Sequence, residues 1–331
     1  MRVLVTGALG QLGSDCIKEL ATRGHEVIGT TSGMRADCNI SYDILCDKKA
    51  FDDEHYQKEP YRSKISYEHL DITDQYEVKK LLDSIRPDAV IHCAAWTDVD
   101  GAEDENNFEN VWNVNAKGTE YLARAAENIS SKMIYISTDY VFDGKGSSPH
   151  RPDDRDFAPL NVYGRSKLAG ETAVSSLVSR FFIVRTAWVF GLKGKNFVNT
   201  MIKAAKKYDH VRVVCDQIGT PTYTVDLARL IADMAATEKY GFYHAANCGI
   251  SGCKYISWYE FCCEIYKKCG LNTKVIPVTT EEYGLSRAER PKNSRLETDK
   301  LKNSGFEPLP DWKDALERYL KEMNRYGADN C

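Results

Sequence analysis

Short apolar runs alternate with stretches in which apolar positions recur every three to four residues through the first half of this chain. The runs Arg2–Thr6, Glu26–Thr31, Ser66–Leu70, Ala89–Cys93, Lys132–Ser137 and Phe181–Val189 read as strands. Between them, Gln11–Arg23 carries Leu12, Cys16, Ile17 and Leu20 on one helical face and stops at Gly24-His25. Asp71-Ile72-Thr73-Asp74 leads into a helix over Gln75–Ile85, and Asn107–Asn128 reads as one long helix. Strands that are apolar almost throughout belong in a parallel sheet covered on both faces. The expected fold class is α/β, a doubly wound parallel sheet of Rossmann type.

After Gly191 the rhythm is less regular. Helices are expected over Phe197–Lys206, Val225–Ala236, Ile256–Lys268 and Trp312–Tyr326, with strands over Val211–Val214 and Lys274–Val278. This part reads as a smaller C-terminal α/β substrate lobe. The expected division gives residues 1–185 to the first domain, with 215–245 packing back onto it, and residues 186–214 and 246–331 to the lobe. Gly33–Lys64 is polar, irregular and long for a connection. Cys38, Cys46 and His55 lie in it at spacings that fit no common metal site.

Composition narrows the functional classes. With 331 residues, 43% of them hydrophobic, the chain can bury a sizeable core. Its 44 basic and 48 acidic residues are well mixed and the net charge is −4, which argues against a nucleic-acid surface. Met1-Arg2-Val3-Leu4-Val5-Thr6-Gly7 runs straight into a turn without a signal-peptide core, and no apolar run is long enough to span a bilayer. Eleven cysteines are scattered, with Cys262 and Cys263 adjacent, and lack the spacing of a disulfide framework. The expectation is a cytoplasmic protein in a reducing compartment, with no membrane partner.

Candidate chemistry begins at Gly7-Ala-Leu-Gly10-Gln11-Leu12-Gly13, a glycine-punctuated turn directly after a strand and opening a helix. Gly7 permits the tight turn, Gly10 lets a pyrophosphate approach the backbone, and Gly13 allows close helix-to-strand packing. The free N–H groups of the helix start attract phosphate. Dinucleotide binding is therefore expected. The second strand ends in Thr31-Ser32 with Arg35 shortly after and no carboxylate to hold free ribose hydroxyls. That favours NADPH, with Ser32 or Arg35 at the 2′-phosphate and NADH as the alternative reductant.

Tyr163-Gly-Arg-Ser-Lys167 sets a phenol and an ammonium at i and i+4, on one helix face. A neighbouring cation favours the phenolate, which suits Tyr163 to proton transfer. Ser137-Thr138-Asp139-Tyr140 closes an apolar strand upstream of it.

Together with Asp71-Ile72, Ala94-Ala95 and Asn115, these features resemble the extended short-chain dehydrogenase/reductase superfamily. Ala95-Trp-Thr97-Asp-Val99-Asp, Ser137-Thr-Asp-Tyr-Val-Phe-Asp-Gly144, Pro159-Leu-Asn-Val-Tyr-Gly164, Arg185-Thr-Ala-Trp188-Val-Phe, Asp216-Gln-Ile-Gly-Thr-Pro221 and Arg290-Pro-Lys-Asn293-Ser-Arg-Leu296 narrow the resemblance to the dTDP-4-dehydrorhamnose reductase family, along nearly the whole chain. The resemblance implies that Tyr163 protonates the C4 oxygen, that Lys167 lowers the Tyr163 pKa and holds the nicotinamide ribose, and that Thr138 steadies the carbonyl oxygen. Asn115 would order a relay water. Asp71 and Ile72 would meet the adenine end, and Ala94 and Ala95 would line the cofactor cleft. Thr97, Val99, Asp139, Tyr140 and Trp188 would surround the sugar, with Asn196, Gln217 and Arg290 toward the nucleotide.

The implied reaction is NADPH-dependent reduction of dTDP-4-dehydro-6-deoxy-L-mannose to dTDP-L-rhamnose for cell-surface polysaccharide, and the resemblance leaves room for a homodimer. The alternatives are another sugar-nucleotide epimerase, dehydratase or reductase of the superfamily, or a non-catalytic subunit like the regulatory subunit of methionine adenosyltransferase. Two departures stand out. Gly33–Lys64 is longer than in compact reductases. Where family members hold an intersubunit magnesium, Asp15 matches one acidic position but Val225 replaces another, so no required metal is expected.

Overall fold

The computed structural model describes residues 1–33, 64–249 and 255–325, so Arg35, Cys38, Cys46 and His55 lie outside the described residues. One all-parallel sheet contains β1 (Arg2–Thr6), β2 (Glu26–Thr31), β3 (Ile65–His69), β4 (Ala89–His92), β5 (Lys132–Thr138), β6 (Phe181–Thr186) and β7 (Gly241–Ala245). Their order is β7-β6-β5-β4-β1-β2-β3. The chain winds outward from β1 through β2 and β3, crosses back, and winds the other way from β4. Reversal between β1 and β4 opens a crevice at their C-terminal ends, where doubly wound sheets bind ligands.

The sheet is buried on both sides because successive side chains point to opposite faces and both sets are apolar. Val3, Val5, Ile91, Ile134 and Val184 meet the helices Gln11–Thr22 and Thr224–Ala235. Leu4, Val90, Met133, Tyr135 and Ile183 meet the helices Gln75–Ile85, Thr119–Asn128 and Val162–Leu177. Each such aliphatic side chain contributes about 1.5–3 kcal/mol on burial. A separate apolar cluster, with Phe190, Ile202, Phe261, Ile265, Trp312 and Tyr319, joins the helices Phe197–Lys207, Trp258–Cys269 and Trp312–Arg325. A parallel pair, His210–Val214 with Lys274–Val278, accompanies it.

Three elements differ from the sequence expectation. The sixth strand stops at Thr186 rather than Val189, because Trp188 takes a left-handed φ of 51° that the ladder cannot accommodate. Val189–Phe190 then pairs with Thr222–Tyr223 instead. The expected helix Asn107–Asn128 is broken into Phe108–Trp112, a π-turn over Asn113–Gly118, and Thr119–Asn128. The Thr119 hydroxyl takes the Asn115 carbonyl at 2.8 Å, competing for an acceptor the α-helix would use. β7 was not anticipated; a short run with His244 inside it carries little strand signal.

Among the described residues no helix is long and apolar enough to cross a membrane. Cys16, Cys93, Cys215, Cys262, Cys263 and Cys269 are free thiols. Cys248 is disulfide-bonded, a departure from the expectation of a chain without cross-links.

Candidate active site

A cavity of about 690 Å³ occupies the crevice at the strand reversal, within the size range of ligand pockets. Gly7, Gly10, Gln11, Leu12 and Gly13 line one end of it with Thr31 and Ser32, and Thr138, Tyr163 and Lys167 line the other. The turn is built around backbone contact. Gly7 has φ 66°, and a Cβ there would lie 2.7 Å from the Ala94 nitrogen; one at Gly13 would collide with the Gly7 carbonyl oxygen. Asp71 and Ile72 border the cavity, with Asp71 Oδ1 accepting from the Thr73 nitrogen at 2.9 Å.

Asn161 positions the helix Val162–Leu177 by accepting from the Gly164 nitrogen at 2.7 Å as its N-cap. Tyr163 therefore sits in the first turn, beside Thr138. Thr138 Oγ1 also donates to Asp139 Oδ1 at 3.0 Å and accepts from the Tyr140 nitrogen at 3.2 Å. The Tyr140 and Tyr163 rings meet edge to face, 5.8 Å between centroids. Lys167, one turn on, holds its ammonium 4.1 Å from the centre of the Tyr135 ring.

Electrostatics in this wall are governed by burial. Burial raises the Tyr163 phenol above its ordinary range, against the Thr138 hydrogen bond, and Asp139 adds to the rise. Lys167 is not among the groups acting on the Tyr163 phenol here, and its ammonium lies over the Tyr135 ring. Lys167 itself is pushed down to about 7 by burial, with Glu171 and then Cys93 pulling the other way. Burial also lifts Asp139 to about 6, against hydrogen bonds from Ser294 and Thr138.

The residues present fit a dinucleotide. Ser137 Oγ, Thr186 Oγ1 and Asp139 Oδ2 are buried in the cavity wall without a protein hydrogen-bond partner, so a ligand's polar groups would recover that desolvation.

Not every expected site residue reaches the cavity. Ala94, Ala95, Thr97, Val99, Asp139, Tyr140 and Trp188 line it. Asn115 does not; its Oδ1 accepts from the Trp96 nitrogen at 2.8 Å and its amide donates to the Trp96 carbonyl at 3.1 Å, which fixes the strand end carrying Ala95. Asn196 caps the helix Phe197–Lys207 and donates to the Gly191 carbonyl at 2.8 Å. Gln217 is buried against Thr280, 3.2 Å away. Arg290 pairs with Asp100 at 3.1 and 2.8 Å and hydrogen-bonds Tyr140, bracing that ring from behind. Each of these four has a partner within the protein.

Sequence reasoning missed Trp258, Lys195 and Cys93, which also line the cavity. Trp258 stacks on Trp188 with 3.7 Å between centroids, a contact across seventy positions that no local spacing announces. Lys195 stands in a lysine-bearing glycine loop, the one local hint of a cation at this end.

The model of the RmlD substrate binding domain family matches residues 1–325. The chain belongs to the dTDP-4-dehydrorhamnose reductase family. Among family relatives, the dTDP-4-dehydrorhamnose reductase of Aggregatibacter actinomycetemcomitans is 36% identical, over 95% of this chain and 97% of its own length. The spore coat polysaccharide biosynthesis protein SpsK of Bacillus subtilis is 37% identical over 98% of each chain. A crystal structure of dTDP-4-dehydrorhamnose reductase from Bacillus anthracis in complex with NADP superposes with a TM-score of 0.79 at 36% identity, covering 97% of this chain and 99% of that one.

Proposed function

We propose that this family member is an NADPH-dependent reductase that converts dTDP-4-dehydro-6-deoxy-L-mannose to dTDP-L-rhamnose, a precursor of cell-surface polysaccharide. One observation carries the reading: Thr138, Tyr163 and Lys167 share a single cavity with the Gly7–Gly13 turn. The relative crystallised with NADP supports the choice of cofactor, with NADH as a second reductant.

Residues of the turn would hold the pyrophosphate, Asp71 and Ile72 the adenine side, and Thr31 and Ser32 the 2′-phosphate end. Bound NADPH supplies the hydride delivered to C4 of the sugar. Tyr163, protonated at neutral pH, gives its proton to the C4 oxygen as negative charge gathers there. Thr138 has one hydroxyl proton, which now goes to Asp139, so it must rotate toward the substrate oxygen to stabilise it. Lys167 would hold the ribose and return a proton to Tyr163, taking its own replacement from solvent. Thr97, Val99, Asp139, Tyr140 and Trp188 would enclose the sugar.

The division of labour proposed is a dinucleotide domain over 1–185, supplemented by 215–245, and a substrate lobe over 186–214 and 246–331. The contact of Thr224–Ala235 with Gln11–Thr22 and the placement of β7 beside β6 support it. The proposed setting is cytoplasmic and the proposed assembly a homodimer, both carried by family likeness. The deciding assay mixes enzyme, NADPH and dTDP-4-dehydro-6-deoxy-L-mannose and follows loss of reduced-nicotinamide absorbance. Stoichiometric oxidation with formation of dTDP-L-rhamnose is expected; absence of turnover with authentic substrate overturns the reading.

A further inference from the structure

Helical spacing that brings Lys167 beside Tyr163 brings a third charged group into the same row. Tyr163, Lys167 and Glu171 follow at i, i+4 and i+8 on the catalytic helix. Glu171 points into the protein, and only 2% of its side chain is exposed. Its Oε1 accepts from Arg185 Nε and its Oε2 from Arg185 Nη2, each at 2.8 Å, a two-pronged pairing with a guanidinium that is completely buried.

Arg185 comes from β6, where it stands between Ser137 of β5 and His244 of β7. Its remaining donors reach the Pro152 carbonyl at 3.2 Å and His244 Nε2 at 3.4 Å. The guanidinium carbon lies 5.0 Å from the centres of the Phe142 and Phe157 rings. The fork is thus locked by its neighbours, and Glu171 is locked by the fork.

A buried ion pair of this kind is weak evidence for stability, since desolvation offsets most of its attraction. Its placement behind Lys167 gives it another use. We propose that Glu171, held by Arg185, is a positioning residue that keeps the catalytic Lys167 in its ammonium form.

Groups facing Lys167 from every side are consistent with this. Tyr163 shares its helix; Cys93 and His92 approach from the end of β4, and Tyr135 from β5. Burial keeps His92 neutral by lowering it to about 3, and keeps the Tyr135 phenol protonated. Glu171 is the carboxylate in this shell and the largest influence opposing desolvation of Lys167, which titrates at about 7. Loss of that carboxylate sends Lys167 lower, so the ammonium disappears within the neutral range.

The inference rests on the proposed hold of Lys167 on the cofactor for its binding arm, and on the reductase reading for its activity arm. The pH dependence of NADPH affinity is measured without sugar, by quenching of protein fluorescence, in wild type, Glu171→Gln, the double variant Glu171→Gln/Arg185→Met, and Glu171→Asp. The double variant removes both buried charges, a replacement that folded proteins commonly tolerate. In wild type the affinity should fall as pH rises through the Lys167 titration. In Glu171→Gln and in the double variant that limb should move down by a pH unit or more, giving a loss of about tenfold at pH 7.5 that is regained near pH 6. Glu171→Asp, which keeps the charge, should shift less and in the same direction. The kcat/KM profile should move in parallel if the sugar reaction is as proposed; failure of turnover alone counts against the reaction and leaves the binding profile to judge Glu171. A limb at the wild-type pH in a folded variant, with affinity merely scaled down at every pH, would overturn the inference and leave Glu171 a structural group.

Discussion

Tyr163 holds its proton firmly because the surrounding wall is dry, which suits an acid more than a standing phenolate. Tyr163→Phe keeps the ring and its edge contact with Tyr140 but removes the transferable proton. Turnover should fall by about 10²–10⁴-fold, the usual worth of a positioned acid, while NADPH affinity stays within a few-fold; near-normal turnover would remove Tyr163 from the proton path. Other buried groups set the response of stability to pH, an aspartate with one sign and histidines with the other. Asp139 is raised in the fold to about 6 from 3.8, so the stability it contributes is full below its unfolded value and is lost as pH rises through 6. That term is about 3 kcal/mol. His92 is lowered to about 3 from 6.5, so its contribution is present above 6.5 and is lost as pH falls toward 3. This second term is about 5 kcal/mol, and His244, also lowered by burial, acts in the same sense. Histidine wins, and the fold should weaken on acidification. Asp139→Asn removes the counterweight, so its melting temperature should drop more steeply than that of wild type between pH 6 and pH 4. Parallel curves in calorimetry would show that Asp139 does not titrate in this window.

The strand–turn–helix over residues 2 to 22 illustrates how two glycines in one motif do different work. A Cβ on Gly10 would come no closer than 3.2 Å to the Gly7 carbonyl oxygen, a small adjustment, whereas a Cβ on Gly13 would strike the Gly7 carbonyl and approach Ala8 Cα at 3.1 Å. Gly13→Ala should therefore cost about 1–3 kcal/mol in stability through overpacking. Gly10→Ala should melt within a degree or two of wild type yet bind NADPH at least tenfold more weakly, because its methyl group stands where the pyrophosphate approaches. Equal melting losses in both variants would refute this separation. Elements of this kind were legible from sequence because their signal is local: the glycine spacing, the apolar runs and the Tyr163–Lys167 turn each specify structure within a few residues. Where a distant group decides the outcome, the reading failed. Trp188 leaves β6 for a left-handed conformation beside Trp258, seventy positions away in the chain. Arg290 and Gln217, which the family resemblance placed toward the nucleotide, have partners within the protein at Asp100 and Thr280.

At the scale of the whole molecule, the cavity is shared between the sheet and the third apolar core. Gln11, in the glycine turn, donates to the Lys195 carbonyl at 3.1 Å and accepts from Asn196 Nδ2 at 3.4 Å, so the start of the first helix is tied to the loop before Phe197–Lys207. On the opposite side, Trp188 leaves the sheet and lies flat on Trp258, which opens the helix Trp258–Cys269 and also contacts Phe197 at 4.5 Å between centroids. The proposed substrate end of the cavity includes that stacked pair. Trp258→Ala takes away one ring of the stack and leaves Thr138, Tyr163, Lys167 and the glycines in place. Loss of the stacking and of the apolar area it covers is worth about 1–2 kcal/mol, so the KM for the sugar nucleotide should rise roughly tenfold, with kcat within about threefold and NADPH affinity unchanged. Trp258→Phe keeps an aromatic face and should recover most of the loss. If instead NADPH affinity falls together with sugar affinity, the tryptophan wall serves the cofactor half, and the substrate end must be sought on the other side of Tyr140.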